Sequence, residues 1–101
     1  MAKKSTVARN NKRIRLVALY AERRKELKRK LLDVNLSDKE YFDAQRRLAK
    51  LPRNSSKVRV RNRCAITGRA RGFHGWFGVS RLQLREMASC GEIPGITKSS
   101  W

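Results

Sequence analysis

The chain has 101 residues, enough for one small domain with or without arms, and such a chain buries only roughly 60–65% of its extended surface when it folds alone. It carries 26 Lys and Arg against 8 Asp and Glu, a formal charge of +18 that repels itself in a compact state and points to a polyanionic partner, nucleic acid ahead of an anionic membrane surface. No apolar run approaches the ~18 residues of a membrane span, no signal-peptide core follows MAKKSTVARNNKR, and two cysteines are too few for a disulfide framework.

Residues 5–32 are predicted as a helix, with Ser5 as its cap. Leu16, Tyr20, Leu27 and Leu31 fall near one stripe, flanked by Leu19 and Leu32, and Arg and Lys fill the other faces. Glu26 stands four residues before Lys30 and is placed to pair with it, whereas Lys12, Arg13 and Arg15 have no such partner. So polar a helix needs something larger to dock on, and peripheral membrane contact is its only membrane reading.

A second helix is predicted from Ser37 to Leu51, with Ser37 and Glu40 as a capping box and Leu36 stapled onto Tyr41. Tyr41, Ala44, Leu48 and Leu51 recur at helical spacing, which makes core the expected role of Tyr41 and Phe42 ahead of base stacking. Leu51-Pro52 ends the pattern. After the PRNSS loop, KVRVRNR at 57–63 alternates apolar and basic residues and predicts an extended segment, with Val58 and Val60 on one edge and Lys57, Arg59 and Arg61 on the other.

Residues 68–78 hold Gly68, Gly72, Gly75 and Gly78 among Arg69, Arg71, Phe73, His74, Trp76 and Phe77. Glycine lets backbone approach a ligand closely, and arginine and aromatic rings supply charge and stacking faces. Trp76 or Phe77 is expected to anchor a small core, with Arg69 and Arg71 outward and His74 at the surface. A third helix is predicted from Ser80 to about Cys90, with Ser80 and Gln83 as a capping box, Val79 and Leu84 as a staple and Gly91 as its stop. Pro94-Gly95 suits a type II turn, with Ile93, Ile96 and Trp101 folding back as apolar cover.

The acids are unevenly spread: none lies before Glu22, and none lies from Ala44 through Arg85. Ordinary solvated faces mix signs, so a single-sign stretch this long reads as a phosphate-facing surface. Its cations are mostly arginine, which suits bidentate phosphate contact.

Cys64, Thr67, Ser80 and Gln83 stand at the spacing C-x2-C-x12-C-x2-C of a zinc ribbon, but only the first is cysteine. Zinc needs four competent ligands, and unionised hydroxyls and amides are not such ligands at neutral pH. No structural metal and no cofactor are expected. Thr67 and Ser80 are expected to exchange hydrogen bonds where thiolates would meet an ion. Cys64 and Cys90 are read as free thiols, Cys90 in a packing role.

L-P-R-N-S-S at 51–56, R-N-R-C-x-x-T-G-R at 61–69, F-G-x-S-R at 77–81, R-E at 85–86 and G-x-I-P-G-x-x-K-S-S-W at 91–101 resemble the fourteenth small-subunit ribosomal protein family of bacterial type. M-A-K-K-S and A-E-R-R-x-E-L-K at 21–28 are similar to its longer members more loosely. That family has a short zinc form with four cysteines and a longer metal-free form. With Cys64 at the first ligand position and Thr67, Ser80 and Gln83 at the others, the resemblance is to the metal-free form.

The resemblance implies a mostly α, small irregular fold: two N-terminal helices, a basic extended and glycine-rich segment, and a C-terminal helix in a zinc-ribbon-like region that lacks metal. Residues 1–51 would form a basic helical arm and 52–101 a compact domain that binds ribosomal RNA. It implies binding of small-subunit ribosomal RNA in the head of the particle near the A site, a need in subunit assembly, and the third, tenth and nineteenth small-subunit proteins as neighbours. The candidate RNA contacts are Arg53, Lys57, Arg59, Arg61, Arg63, Arg69, Arg71, Arg81, Arg85 and Lys98, with Lys12 and Arg13 of the first helix. R-A-R-G-F-H-G-W at 69–76 departs from the family's pattern, which has R-P-R there and a basic residue where Gly75 or Trp76 stands.

No membrane and no small-molecule substrate are implied, and the expected location is the ribosome of the cytoplasm, with an organellar ribosome as the alternative. Three rival classes make different demands. A DNA-binding architectural protein would bind duplex DNA without preference for ribosomal RNA. A zinc-ribbon interaction module would need the missing ligands. An enzyme would need an acid/base pair, and His74 is the chain's one histidine.

Overall fold

The computed structural model describes residues 2–99. Two compact units divide them: one holds the residues up to Val7 with those from Arg61 onward, and the other is Ala8–Val60. The expected seam at Leu51-Pro52 therefore lies inside the helical unit. Ser55, just beyond that seam, accepts a hydrogen bond from Arg24 Nη2 at 2.8 Å, which keeps the following segment with the helices.

In chain order the α-helices are α1 (Lys4–Leu31), α2 (Asp38–Lys50) and α3 (Arg81–Ser89). Two 3-10 turns, Arg53–Ser55 and Lys57–Arg59, follow α2, and a two-stranded hairpin, β1 (Phe73–His74) and β2 (Val79–Ser80), precedes α3. The mostly α class holds. Among the described residues no helix is long and apolar enough to cross a membrane.

α1 forms because its 28 residues contain neither Gly nor Pro and are rich in Ala, Arg, Lys and Leu, and it spans about 42 Å. Lys28, Arg29 and Lys30 in its last turn complement the helix dipole. It starts one residue earlier than predicted. Thr6 and Val7 N–H donate to Lys3 O, so Ser5 lies inside the helix and does not cap it. The leucine stripe is only half covered: Leu16, Tyr20, Leu27 and Leu31 are half-buried, and Leu19 and Leu32 are exposed. Glu26 and Lys30 form no ion pair. The one ion pair among the described residues is Arg46–Asp43 at 4.0 Å.

α2 starts as predicted, with Ser37 Oγ accepting from Glu40 N–H at 3.4 Å, and it stops at Leu51 before Pro52. It runs back along α1. Leu27, Lys30 and Asp33 share a hollow with Leu36, Glu40 and Ala44, while Arg23 and Glu26 face Lys50 and Leu51. Ala44 is the residue α2 buries. Tyr41 and Phe42 are exposed, contrary to the core role predicted, and pack on each other edge to face at 5.7 Å. The face α2 buries is carried by Ala44 alone, and both rings lie outside it.

The extended segment predicted at 57–63 is corrected at its first half. Arg59 N–H donates to Ser56 O and Val60 N–H to Lys57 O, each at 3.2 Å, which closes a 3-10 turn. Arg59 Nη1 then reaches Asn54 Oδ1 at 3.0 Å. The turn breaks the period of two, so Val58 is 89% exposed and Val60 is half-buried, with no shared apolar edge.

Ser55 is buried, accepts from Arg24 and donates to Pro52 O. Arg24 Nε is also covered and has no partner among the described residues. Ser55→Ala removes the acceptor and leaves more of a half-buried guanidinium unmet. It is expected to destabilise the helical unit by about 1–3 kcal/mol. Urea unfolding of the full chain, with hydrogen exchange in α1 as a local reporter, checks it.

The centre of the other unit is built from small residues: Cys64, Val79 and Ser80 are its buried side chains, with Gly68 beside them. Residues 64–69 make a knuckle in which Gly68 N–H donates to Cys64 O and Cys64 N–H to Arg69 O, both at 2.9 Å. The hairpin pairs Phe73 with Ser80 and His74 with Val79, and Ala65 N–H joins it to the knuckle through Gly78 O at 3.1 Å. Trp76 and Phe77 do not anchor this core; they lie at the hairpin tip, 95% and 43% exposed. Two-residue strands carry the chain away from the centre, and Cys64 and Val79 fill the space the rings would need.

α3 begins on Ser80, whose hydroxyl accepts from Gln83 N–H at 3.5 Å. It ends on Gly91 at φ +74°, with Glu92 N–H bonded to Met87 O and Gly91 N–H to Ala88 O, a Schellman stop. Gly95 takes φ +79°, as a type II turn after Pro94 requires. Ile93 is half-buried and Ile96 exposed, while the apolar cover expected of Trp101 lies outside the described residues. Cys90 is exposed, which rules out the packing role expected of it.

Candidate nucleic-acid interface

The knuckle, the hairpin and α3 present the cations of the acid-free stretch. Arg71 stands just before β1 and Arg81 just after β2. Strand pairing brings these ends together, with Arg81 N–H donating to Gly72 O at 2.7 Å. The stem of Arg81 lies across Gly72, where a Cβ would stand 3.0 Å from Arg81 Cγ and Cδ. Glycine at φ +62° is what allows this crossing.

Arg69 and Arg71 line a hollow of about 500 Å³ with Thr67, Ser80, Gln83 and the carboxylate of Glu86. Arg81, Arg85 and Lys98 line a second of about 220 Å³ along α3. These five of the predicted contacts therefore fall into two adjoining groups that share the start of α3.

The others divide. Arg63 turns inward and donates from Nη1 to Gly68 O at 3.0 Å, bracing the knuckle. Arg61 is exposed in the same unit. In the helical unit Lys12, Arg53 and Lys57 are exposed, Arg13 is half-buried, and Arg59 is half-buried on Asn54. Sequence reasoning graded these residues alike because it sees charge and not acceptors. It also missed the hairpin, whose local sign is a glycine just before it, Gly72, and two within its turn, Gly75 and Gly78.

The four positions with zinc-ribbon spacing stay close together. Cys64 is 4% exposed, and Thr67 N–H points at its sulfur at 3.5 Å. The mutual bond predicted between Thr67 and Ser80 is not formed. Thr67 Oγ1 accepts from Arg69 N–H at 3.5 Å, and Ser80 Oγ is taken by Gln83 N–H. Burial pushes the Cys64 thiol up. Hydrogen bonds from the Thr67 side chain and from the backbone of Thr67, Ser80 and Ile66 outweigh it and bring the pKa down from 9.0 to about 6. Among the described residues no group of three or more His, Cys, Asp or Glu is placed to hold a metal ion.

A thiol held below its ordinary value stabilises the folded state through its ionised form. That contribution is complete above the unfolded value of 9.0, shrinks as pH falls, and is gone below about 6. In a Cys90→Ala chain, thiolate absorbance at 240 nm is expected to titrate with a midpoint near 6 when folded and near 9 in urea. Unfolding stability should fall between pH 8 and pH 5.5 in that chain and stay level when Cys64 is also replaced by Ala.

A family model described as ribosomal protein S14p/S29e matches residues 47–100. The chain is 55% identical over 101 residues to the small ribosomal subunit protein uS14 of Opitutus terrae, and 55% identical over 101 residues to that of Protochlamydia amoebophila. It is 54% identical over 101 residues to the uS14 of Corynebacterium diphtheriae, and each match covers 100% of both chains. A knuckle, hairpin and capped helix that carry a strongly basic surface, matched along the full length at this identity, place the chain in the ribosomal protein S14p/S29e family, a family of ribosomal structural proteins and not of enzymes.

Proposed function

We propose that this chain is a structural constituent of the small ribosomal subunit that binds small-subunit ribosomal RNA in the head of the particle, near the A site, and is needed for the subunit to assemble. One observation carries the reading. Lys and Arg number 26 against 8 Asp and Glu, and the stretch from Ala44 through Arg85 has no acid of its own. A polyphosphate supplies the missing counter-charge.

Arg69, Arg71, Arg81, Arg85 and Lys98 make the phosphate-facing groups of the knuckle and α3. Arg61, Lys12, Arg13, Arg53 and Lys57 extend the contact, and Arg59 and Arg63 serve it chiefly by holding their segments in shape. The chain acts as the metal-free form: the knuckle is closed by Cys64 and its hydrogen-bond donors. Residues 1–51 serve as an arm and 52–101 carry most of the RNA contacts, a division of roles and not of the compact units. The third, tenth and nineteenth small-subunit proteins are its neighbours, in a cytoplasmic ribosome.

Sedimentation of the tagged full-length chain tests the reading. It should travel with small subunits and their precursors, and be stripped by high salt. A chain that stays at the top of the gradient, or binds duplex DNA in preference to ribosomal RNA, refutes it. Elemental analysis of the subunit-bound chain showing one zinc per copy would refute the metal-free reading alone.

A further inference from the structure

We infer that Trp76, beside Phe77 at the hairpin tip, is a stacking platform for one unpaired RNA base whose phosphates the arginines at the hairpin's foot help to meet; this rests on the RNA binding proposed above. Tryptophan has more apolar surface to bury than any other side chain, yet folding leaves Trp76 95% exposed. The backbone beneath the ring is fixed. His74 O accepts from Phe77 N–H at 3.2 Å and from Gly78 N–H at 2.8 Å, and Gly78 closes the turn at φ +71°. The indole lies nearly parallel to the Phe77 ring, 19° apart with centroids at 6.3 Å. At 95% exposure both faces of the indole are open.

What fits an open aromatic face is decided by its surroundings. The nearest acid before it in sequence is Asp43 and the nearest after it is Glu86. Arg71 and Arg81 are exposed and are joined at the hairpin's foot by the Arg81 N–H to Gly72 O bond. A ligand that is planar and apolar at one end and anionic at the other satisfies both features, and an unpaired nucleotide is that ligand. Gly75, next to the ring, has only Phe73 Cε1 within 4.0 Å of where a Cβ would stand, so a base can approach the backbone there. A duplex offers no free base face, which makes single-stranded or looped RNA the class of partner.

The test uses the full chain carrying Trp101→Phe, so that Trp76 is the one tryptophan left of two. The probes are purified small-subunit ribosomal RNA, a short oligoadenylate and a blunt RNA duplex. Trp76 fluorescence should be quenched by the ribosomal RNA and the oligoadenylate but not by the duplex. Trp76→Ala should weaken ribosomal RNA binding roughly 5- to 100-fold. It should leave the slope of affinity against salt and the urea midpoint unchanged, and Trp76→Phe should retain most of the affinity.

Three results would overturn the inference: Trp76→Ala binding as tightly as the parent, equal quenching by duplex, or fluorescence that ignores RNA but shifts when other small-subunit proteins are added. The last would make the ring a protein contact. If the parent chain itself shows no salt-dependent binding to ribosomal RNA, the proposed function fails. If the parent binds and Trp76 is indifferent, only the platform fails.

Discussion

Replacing Arg71, Arg81 and Arg85 together by Gln is expected to weaken binding to small-subunit ribosomal RNA by roughly 10- to 100-fold near 100 mM salt and to flatten its salt dependence. All three are exposed, and they stand where the hairpin's foot meets the start of α3. Each phosphate neutralised contributes about 0.7–0.9 to the slope of log affinity against log salt, so three lost contacts should lower that slope by about 2–3. Slope and affinity report different things, and the triple variant should change both. Arg46→Gln, which removes a cation already facing Asp43 at 4.0 Å, should change neither by much. Arg63→Gln should behave differently again. Its guanidinium donates to Gly68 O, so its loss should appear in the urea midpoint more than in the salt slope. A triple variant with the parent's slope would remove the knuckle and α3 from the RNA-facing surface.

The elements legible from sequence are those whose signals are local. Ser37 and Ser80 cap α2 and α3 through bonds to residues three positions on, and Gly91 stops α3 through bonds to residues three and five positions back. α1 is legible because nothing in it breaks a helix. The hairpin is not, because two-residue strands are too short for any period to register, and their pairing is set by a turn at residues 75–78, three to six positions beyond Gly72. Lys57–Arg59 shows the opposite failure. V-R-V imitates strand alternation, while three-residue backbone bonds and the Arg59–Asn54 contact make a turn of it. Trp76 and Phe77 read as core by composition alone. Where a ring goes depends on whether tertiary space exists for it, and here four small residues already occupy the centre. The site follows the same division. Its charge is plain in the sequence, but which arginines face inward depends on Gly68 O and Asn54 Oδ1, acceptors that only the folded backbone brings within reach.

Gly68→Ala should be the most damaging single-methyl change in the chain. Gly68 sits at φ +76°, a left-handed conformation that costs an alanine about 1 kcal/mol or more. Its Cβ would also lie 2.7 Å from Val7 Cγ2 and 3.3 Å from the Ala2 Cβ. Valine has no flexible tail with which to give way, so overpacking adds about 1–3 kcal/mol. The total, about 2–4 kcal/mol, rivals the whole stability of a unit this small. Gly91→Ala separates the two effects, because Gly91 has nearly the same φ, +74°, and nothing within 4 Å. It should lose only the conformational part. Val7→Ala in the Gly68→Ala chain should return most of the packing part and none of the rest. Urea midpoints of the full-length variants read both differences. The functional consequence follows from what Gly68 holds: its carbonyl receives Arg63, its N–H closes the knuckle on Cys64, and Arg69 follows it in the chain. Subunits assembled in cells expressing Gly68→Ala should carry much less of the chain, while Gly91→Ala should be incorporated nearly as the parent is. Equal urea midpoints for the two variants would mean that the first turn of α1 does not rest on the knuckle.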